Sequence, residues 1–426
     1  MSAPQPLQRR LGTFDATAIG LGSMLGAGVF VVFAPAAALA GNLLVLSVLV
    51  AGVVAYCNAV ASAALAARYP TSGGTYVYGR NQLGEWPGFL AGWGFVTGKT
   101  ASCAAMALTF GSYVARDYAV PVAVAAVVAL TGVNLLGITR TALLTRILLC
   151  MVLATLVFVA VAAWLGPHAG AELAGPPSDN PAGVLPAAGL MFFAFAGYAR
   201  IATLGEEVKD PARAIPRAIL AALAAAFAIY LLLALLLLAH LGERLGTSGT
   251  PLLDAVLDSR LAPAAPLVQA GAAAACLGAL LALITGVGRT TLAMARERDL
   301  PGPLAKVGGT HTVPYVAELA VAAVVILLLV TTNVMTVVGF SSFGVLVYYA
   351  VANASAFTLA THPGYAPRWL NFLGFLGCAV LAFTLPPAAV LTMAAVLAAG
   401  VAGRWLVLRF RQHQHKPQGP GRKLPD

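Results

Sequence analysis

Residues 19–30 place Gly20, Gly22, Ser23, Gly26, Ala27 and Gly28 inside an apolar run that carries no charged residue from position 16 to position 67. At membrane depth a helix keeps its backbone bonded to itself, because hydrocarbon offers no replacement for a lost bond. Glycine at this density weakens the helix and lets other groups reach the main chain. A helix broken at mid-depth is tolerated only where protein buries it or where it lines a cavity, and carriers hold substrates and ions at such breaks. A second interrupted run, 189–213, has Gly197 at its middle and Arg200 just beyond, then the charged stretch Glu206-Glu207-Val208-Lys209-Asp210. Lys99 and Arg200 both stand inside apolar runs, and ionisable groups at that depth are costly and mark function by default. A lysine can release its proton where an arginine keeps it, so Lys99 is the candidate for proton coupling.

The elements that must carry these residues are membrane spans. The 426-residue chain is 60% hydrophobic and 9% charged, with a mean hydropathy of +0.87, where a soluble domain carries roughly 25% charge. Charge-free windows cover 16–67, 118–139, 147–171, 180–199, 218–242, 261–288, 319–367 and 369–403. One crossing takes about 20 apolar residues. The first window and the last two therefore hold two passes each, and a helix over 86–115, interrupted by Lys99, brings the total to about twelve. The predicted spans are 14–38, 43–67, 86–115, 118–137, 143–166, 183–205, 217–241, 263–295, 313–331, 335–360, 366–385 and 387–410, with Pro386-Pro387 turning between the last two. The start, 1–12, is polar and basic and the first apolar run is too long for a cleaved leader, so no signal peptide is expected.

Two interrupted helices, each opening a group of five, form the pattern of an inverted-repeat carrier. The expected organisation is an N-terminal segment 1–13, a first repeat 14–166, a second repeat 183–360, two further helices in 366–410, and a tail 411–426. Lys and Arg near the span ends set the orientation. With both termini on one side, that side collects nineteen of the 25 Lys and Arg, the opposite side has Arg116, Arg244 and Arg260, and Lys99, Arg200 and Arg289 fall within spans. Both termini are therefore expected in the cytoplasm, with the chain in the cell membrane. The net charge of +10 follows from this topology. Its scatter over short loops argues against nucleic acid as a partner. Cys57, Cys103, Cys150, Cys276 and Cys378 lie in apolar segments without metal-type spacing, and the histidines lie in loops, the tail or, for His240, a span end. No nucleophile, base and acid share one depth, so no enzyme, metal or cofactor is expected. The glycines superficially fit a dinucleotide loop, but that motif needs an acidic residue about 20 positions on, and the next one after Asp15 is Glu85.

Gly22-Ser23-Met24-Leu25-Gly26-Ala27-Gly28-Val29-Phe30 resembles the first-helix signature of amino acid permeases of the amino acid–polyamine–organocation superfamily. Phe192-Phe193-Ala194-Phe195-Ala196-Gly197-Tyr198, Glu206 to Pro211 and Arg213 to Ile219 resemble its sixth-helix signature and the following loop. Pro70 to Tyr76, Asn134-Leu135-Leu136-Gly137, Arg289 and Met294 to Pro301 match in the same order. The resemblance implies an all-α polytopic membrane protein of about twelve helices. It implies a five-plus-five inverted repeat of the LeuT type with helices 1 and 6 discontinuous, working by alternating access. It also implies how an amino acid is held. The α-carboxylate takes free backbone N–H groups at the half-helix start, at Ser23, Gly26, Ala27 and Gly28. The ammonium takes carbonyls around Ala194, Phe195, Ala196 and Gly197, with Phe195 as gate or side-chain wall.

The chain departs from the resemblance in its fifth span. Some proton-coupled members carry a lysine there, at the positions of Met151-Val152, and 147–166 holds no charge. Lys99 is left to couple a proton, while Arg200 and Arg289 are expected to pair with Glu206 or Glu207 as a gate. No carboxylate is expected at mid-depth, which argues against cationic cargo. Phe193, Phe195, Tyr198, Ser341, Ser342 and Tyr348 suit a neutral amino acid. Acidic cargo, obligate exchange and a transporter-like nutrient sensor are the alternatives, and the oligomeric state is open.

Overall fold

The computed structural model describes residues 9–166, 179–308, 312–331 and 334–414. His168, Glu172, His311, His415, Lys416, Arg422 and Lys423 lie outside the described residues, as do most of the segments 1–13 and 411–426. Among the described residues the named elements are helices, joined by two isolated β-bridges. In chain order the α-helices are α1 (Thr13–Met24), α2 (Ala27–Val31), α3 (Phe33–Ala40), α4 (Leu44–Arg68), α5 (Thr75–Leu83), α6 (Glu85–Val114), α7 (Ala119–Leu135) and α8 (Ile138–Leu165). They continue as α9 (Val184–Phe195), α10 (Ala199–Ala202), α11 (Pro211–Leu241), α12 (Pro251–Leu257), α13 (Pro266–Arg296), α14 (Tyr315–Thr331), α15 (Val334–Phe357), α16 (Arg368–Thr384) and α17 (Pro387–Gln414).

Among the described residues eight helical stretches are long and apolar enough to cross a membrane, and α7, α14 and α16 are shorter apolar helices. The helix α6, thirty residues with Lys99 at its middle, packs among them. Their outward faces are apolar as hydrocarbon requires: Val128, Leu232, Leu327, Phe372 and Phe383 are among the exposed large hydrophobics. Gly137, at φ 101°, makes the tight turn between α7 and α8, a conformation that a side chain would strain.

One helix start and two short helices differ from the sequence expectation. α11 starts at Pro211, ahead of the predicted 217: Asp210 turns the chain at φ 46° and Pro211 fills the first helical position, so a helix begins within a charged stretch that reads as loop. α5 and α12 fold as short helices in stretches expected to be loops.

Interactions gather the element ends into two clusters. At one end Asp15 pairs with Arg146, Arg296 with Glu206 at 3.1 Å, and Arg80 with Asp299 at 3.0 Å. Main-chain bonds run there from Arg10 and Leu11 to the Glu207 carbonyl at 2.9 and 3.0 Å, and from Lys209 to that of Leu11 at 2.8 Å. At the other end Asn180 Nδ2 donates to the Leu39 carbonyl at 2.9 Å and Arg244 pairs with Asp258 at 2.8 Å.

Candidate functional site

The first helix is broken where the glycines stand. α1 ends at Met24, Leu25 closes it by donating to the Leu21 carbonyl, and Gly26 is extended at φ −80°, ψ −153° before α2 begins. A helix start leaves its first N–H groups without intrahelical acceptors. Those of Gly26, Ala27 and Gly28 are left in that position here. Gly28 lies against α9: a Cβ built on it would sit 3.1 Å from the Ala194 Cα. A Cβ on Gly26 would collide with Ala279 of α13.

The sixth-span interruption is tighter than an open break. Between α9 and α10, residues Ala196–Tyr198 wind into one 3-10 turn. Changing the winding frees carbonyls without unfolding the chain. A Cβ on Gly197 would lie 2.5 Å from the Met24 N, so the turn presses its backbone onto the end of α1. The two interruptions therefore meet. Tyr230 of α11 ties them together: its hydroxyl donates to the Met24 carbonyl at 2.6 Å and lies 3.2 Å from that of Ala194. Tyr349 of α15 donates to the Ala196 carbonyl at 3.3 Å.

Around this junction the side chains sort by role. The Ser23 hydroxyl is buried with no hydrogen-bond partner among the described residues. Phe195 packs its ring edge-on to Tyr230 at 4.9 Å and so faces α11. Phe193 is the aromatic that faces Gly28, and the Lys99 ammonium stands 5.9 Å from its ring. Lys99 is 4% exposed, and no carboxylate pairs with it among the described residues. One turn on, the Ser102 and Ser341 hydroxyls share a hydrogen bond of 2.6 Å that ties α6 to α15.

The other predicted charges form a separate layer toward the end that holds Asp15. Arg289 of α13 clasps Glu207 through Nη2 at 2.5 Å and Nε at 3.1 Å, and Glu318 of α14 through Nη1 at 2.5 Å. All three are almost fully buried. Glu206 instead accepts from Arg296 at 3.1 Å and from the Ser72 N–H at 3.2 Å. Among the described residues Arg200 pairs with no carboxylate: its Nη1 donates to Thr203 at 2.8 Å, while Nε and Nη2 have no partner there. Of the expected gate pairings, only Arg289 with Glu207 is formed. A cavity of about 520 Å³ lies beside this layer, lined in part by Asp15, Arg146 and Glu207.

Tyr230 and Glu318 complete the arrangement without having been candidates. Tyr230 is the one hydroxyl in an alanine- and leucine-rich window, 218–242, and that isolation is its only sequence signal. Glu318 reads as a span-end acid, yet α14 carries it inward until it is 0% exposed. Tyr230→Phe is expected to cost about 1–3 kcal/mol by leaving the Met24 carbonyl short of its donor, measured as unfolding in detergent. A change under half a unit of kcal/mol would show that the tyrosine only fills space.

Residues 11–402 match the family described as amino acid permease. An uncharacterised transporter of Mycobacterium tuberculosis is 57% identical over 415 residues, 96% of this chain and 94% of its own length. The branched-chain amino acid permease BcaP of Bacillus subtilis is 28% identical, over 74% of this chain and 73% of its own. The chloroplastic cationic amino acid transporter 7 of Arabidopsis thaliana is 27% identical, over 89% of this chain and 71% of its own.

Proposed function

The chain belongs to the amino acid permease family, a family of integral membrane transporters rather than enzymes, and from that membership we propose a carrier that moves neutral amino acids across the cell membrane by alternating access. In this reading twelve helices cross the bilayer with both termini cytoplasmic. Residues 14–166 and 183–360 are the two inverted repeats, and 366–410 adds two helices outside them.

The observation that carries the reading is the junction of two interrupted helices. The N–H groups of Gly26 to Gly28 and the Ser23 hydroxyl supply donors for a carboxylate at a half-helix start. The carbonyls of Ala194 and Ala196 stand at the same junction, beside the Tyr230 and Tyr349 hydroxyls, and in this proposal they receive the ammonium. Phe193 walls the side chain and Phe195 braces the turn against α11. Neutral cargo follows from the charges: the buried carboxylates Glu207 and Glu318 are both committed to Arg289. An acidic amino acid is the second reading, favoured by the unpaired Lys99 ammonium.

Lys99 is the proton carrier of this proposal, and the Arg289 clasp is the cytoplasmic gate, with Arg200 and Glu206 beside it. Uptake of radiolabelled leucine into proteoliposomes is expected to rise with an inward pH gradient, to be indifferent to sodium, and to be competed by alanine but not arginine. Lys99→Met is expected to abolish the response to the pH gradient. Stronger competition by arginine would favour the cargo named for the Arabidopsis relatives. Sodium-driven uptake, or an unchanged pH response in Lys99→Met, would overturn the coupling.

A further inference from the structure

Away from the junction, two cavities share a wall. An apolar groove of about 490 Å³ runs between α6, α14, α15 and α17, with Trp93, Ala101, Val324, Leu328 and Phe340 along it. Its length on α6, from Trp93 to Ala101, is about 12 Å at the helical rise. The threonines that line it hide their hydroxyls: Thr97 donates to the Trp93 carbonyl at 2.7 Å, Thr100 to Val96 at 2.6 Å and Thr392 to Ala388 at 2.7 Å. Thr291 alone keeps an unpartnered hydroxyl.

At the end of the bundle near Asp299 this groove meets a second cavity of about 480 Å³ through the shared residues Trp93 and Leu300. Its wall is charged as well as apolar and includes Arg298, Asp299 and Arg404. Arg404 is 4% exposed and lies over the Trp86 ring at 4.4 Å. Its Nε donates to Asp299 at 2.7 Å and its Nη2 to Glu85 at 2.9 Å, while Nη1 is buried with no partner among the described residues. Asp299 is fully engaged, taking Tyr76 at 2.7 Å and Arg80 at 3.0 Å as well. Burial and the bond to Asp299 push the Tyr76 phenol up from its ordinary value, so it remains a donor.

We infer that the two cavities together hold one phospholipid, an acyl chain in the groove and the phosphate at Arg404 Nη1. A dry, chain-shaped groove on membrane helices has hydrocarbon as its surroundings. The adjoining buried guanidinium nitrogen lacks the acceptor that a phosphate oxygen supplies. The lipid then wedges between α6, which carries Lys99, and the α14 and α17 helices. This goes beyond the transport reading and does not depend on the cargo.

Trp93 lines both cavities and reports occupancy directly. In full-length protein in dodecyl maltoside micelles, with Trp86, Trp164, Trp369 and Trp405 changed to Phe, brominated-chain phosphatidylglycerol is titrated into the micelles. Trp93 quenching is expected to be half-complete at about tenfold lower mole fraction than with brominated diacylglycerol, the worth of a charge-assisted bond. Val324→Phe with Thr392→Phe, both at exposed positions, is expected to fill the groove and remove the quenching advantage. Equal quenching by the diacylglycerol, or quenching unaltered by the two phenylalanines, would overturn the proposal.

Discussion

Arg289→Met is expected to lower stability by about 3–5 kcal/mol, because it strands two buried carboxylates at once. Glu207 and Glu318 are 3% and 0% exposed and both take their hydrogen bonds from that one guanidinium. Methionine keeps the volume and removes the charge, so the loss reports electrostatics rather than a cavity. Thermal unfolding in detergent measures it. The triple change Arg289→Met, Glu207→Gln, Glu318→Gln is expected to recover most of the loss, since no buried charge is then left without a partner. Arg200 feels the same two carboxylates and has two donors to spare, so adding Arg200→Met to Arg289→Met is expected to cost more than the two single changes summed. A loss below about 1 kcal/mol in Arg289→Met would place the clasp in water rather than in the protein interior.

Gly28→Leu is expected to abolish substrate binding, with a rise in Kd of about 100-fold or more, equivalent to roughly 3 kcal/mol. The added side chain meets the Ala194 Cα at 3.1 Å and the Phe193 ring at 3.7 Å, the space through which a carboxylate reaches the backbone. Overpacking alone costs about 1–3 kcal/mol of stability, so a packing control is needed. Gly52 of α4 supplies it: a Cβ there strikes the Phe227 ring in a helix interface that holds no broken backbone. Gly52→Ala should destabilise and leave affinity alone. Scintillation proximity binding on purified protein separates the two. Unchanged affinity in Gly28→Leu would reduce the glycine to a packing residue.

The break in the first helix is legible in the sequence because four glycines in an uncharged run leave few other readings. The sixth-span interruption is legible in place but not in kind. Gly197 marks the site, yet nothing in composition separates an open break from a 3-10 turn, which is set by the press of α1 against it. Charged residues near span ends announce a gate, but not which acid takes which base. Glu206 and Glu207 are adjacent and chemically alike, and only the turn of the chain sends one outward to Arg296 and the other inward to Arg289. Tyr230 is beyond reach of the sequence, because its role depends on two carbonyls that fold in from residues 206 and 36 positions away.

The strap between residues 10–11 and 207–209 is made of main-chain bonds, with Leu11 and Val208 in parallel register. Every residue but proline offers the same amide, so the strap is indifferent to what the exposed Arg9 and Arg10 carry and sensitive to how many residues separate it from α1. Mutational drift can therefore pass freely through these side chains while a single inserted or deleted residue uncouples the strands. An insertion between Leu11 and α1 is therefore expected to cost more here than alanine at Arg9 or Arg10, whose side chains are exposed.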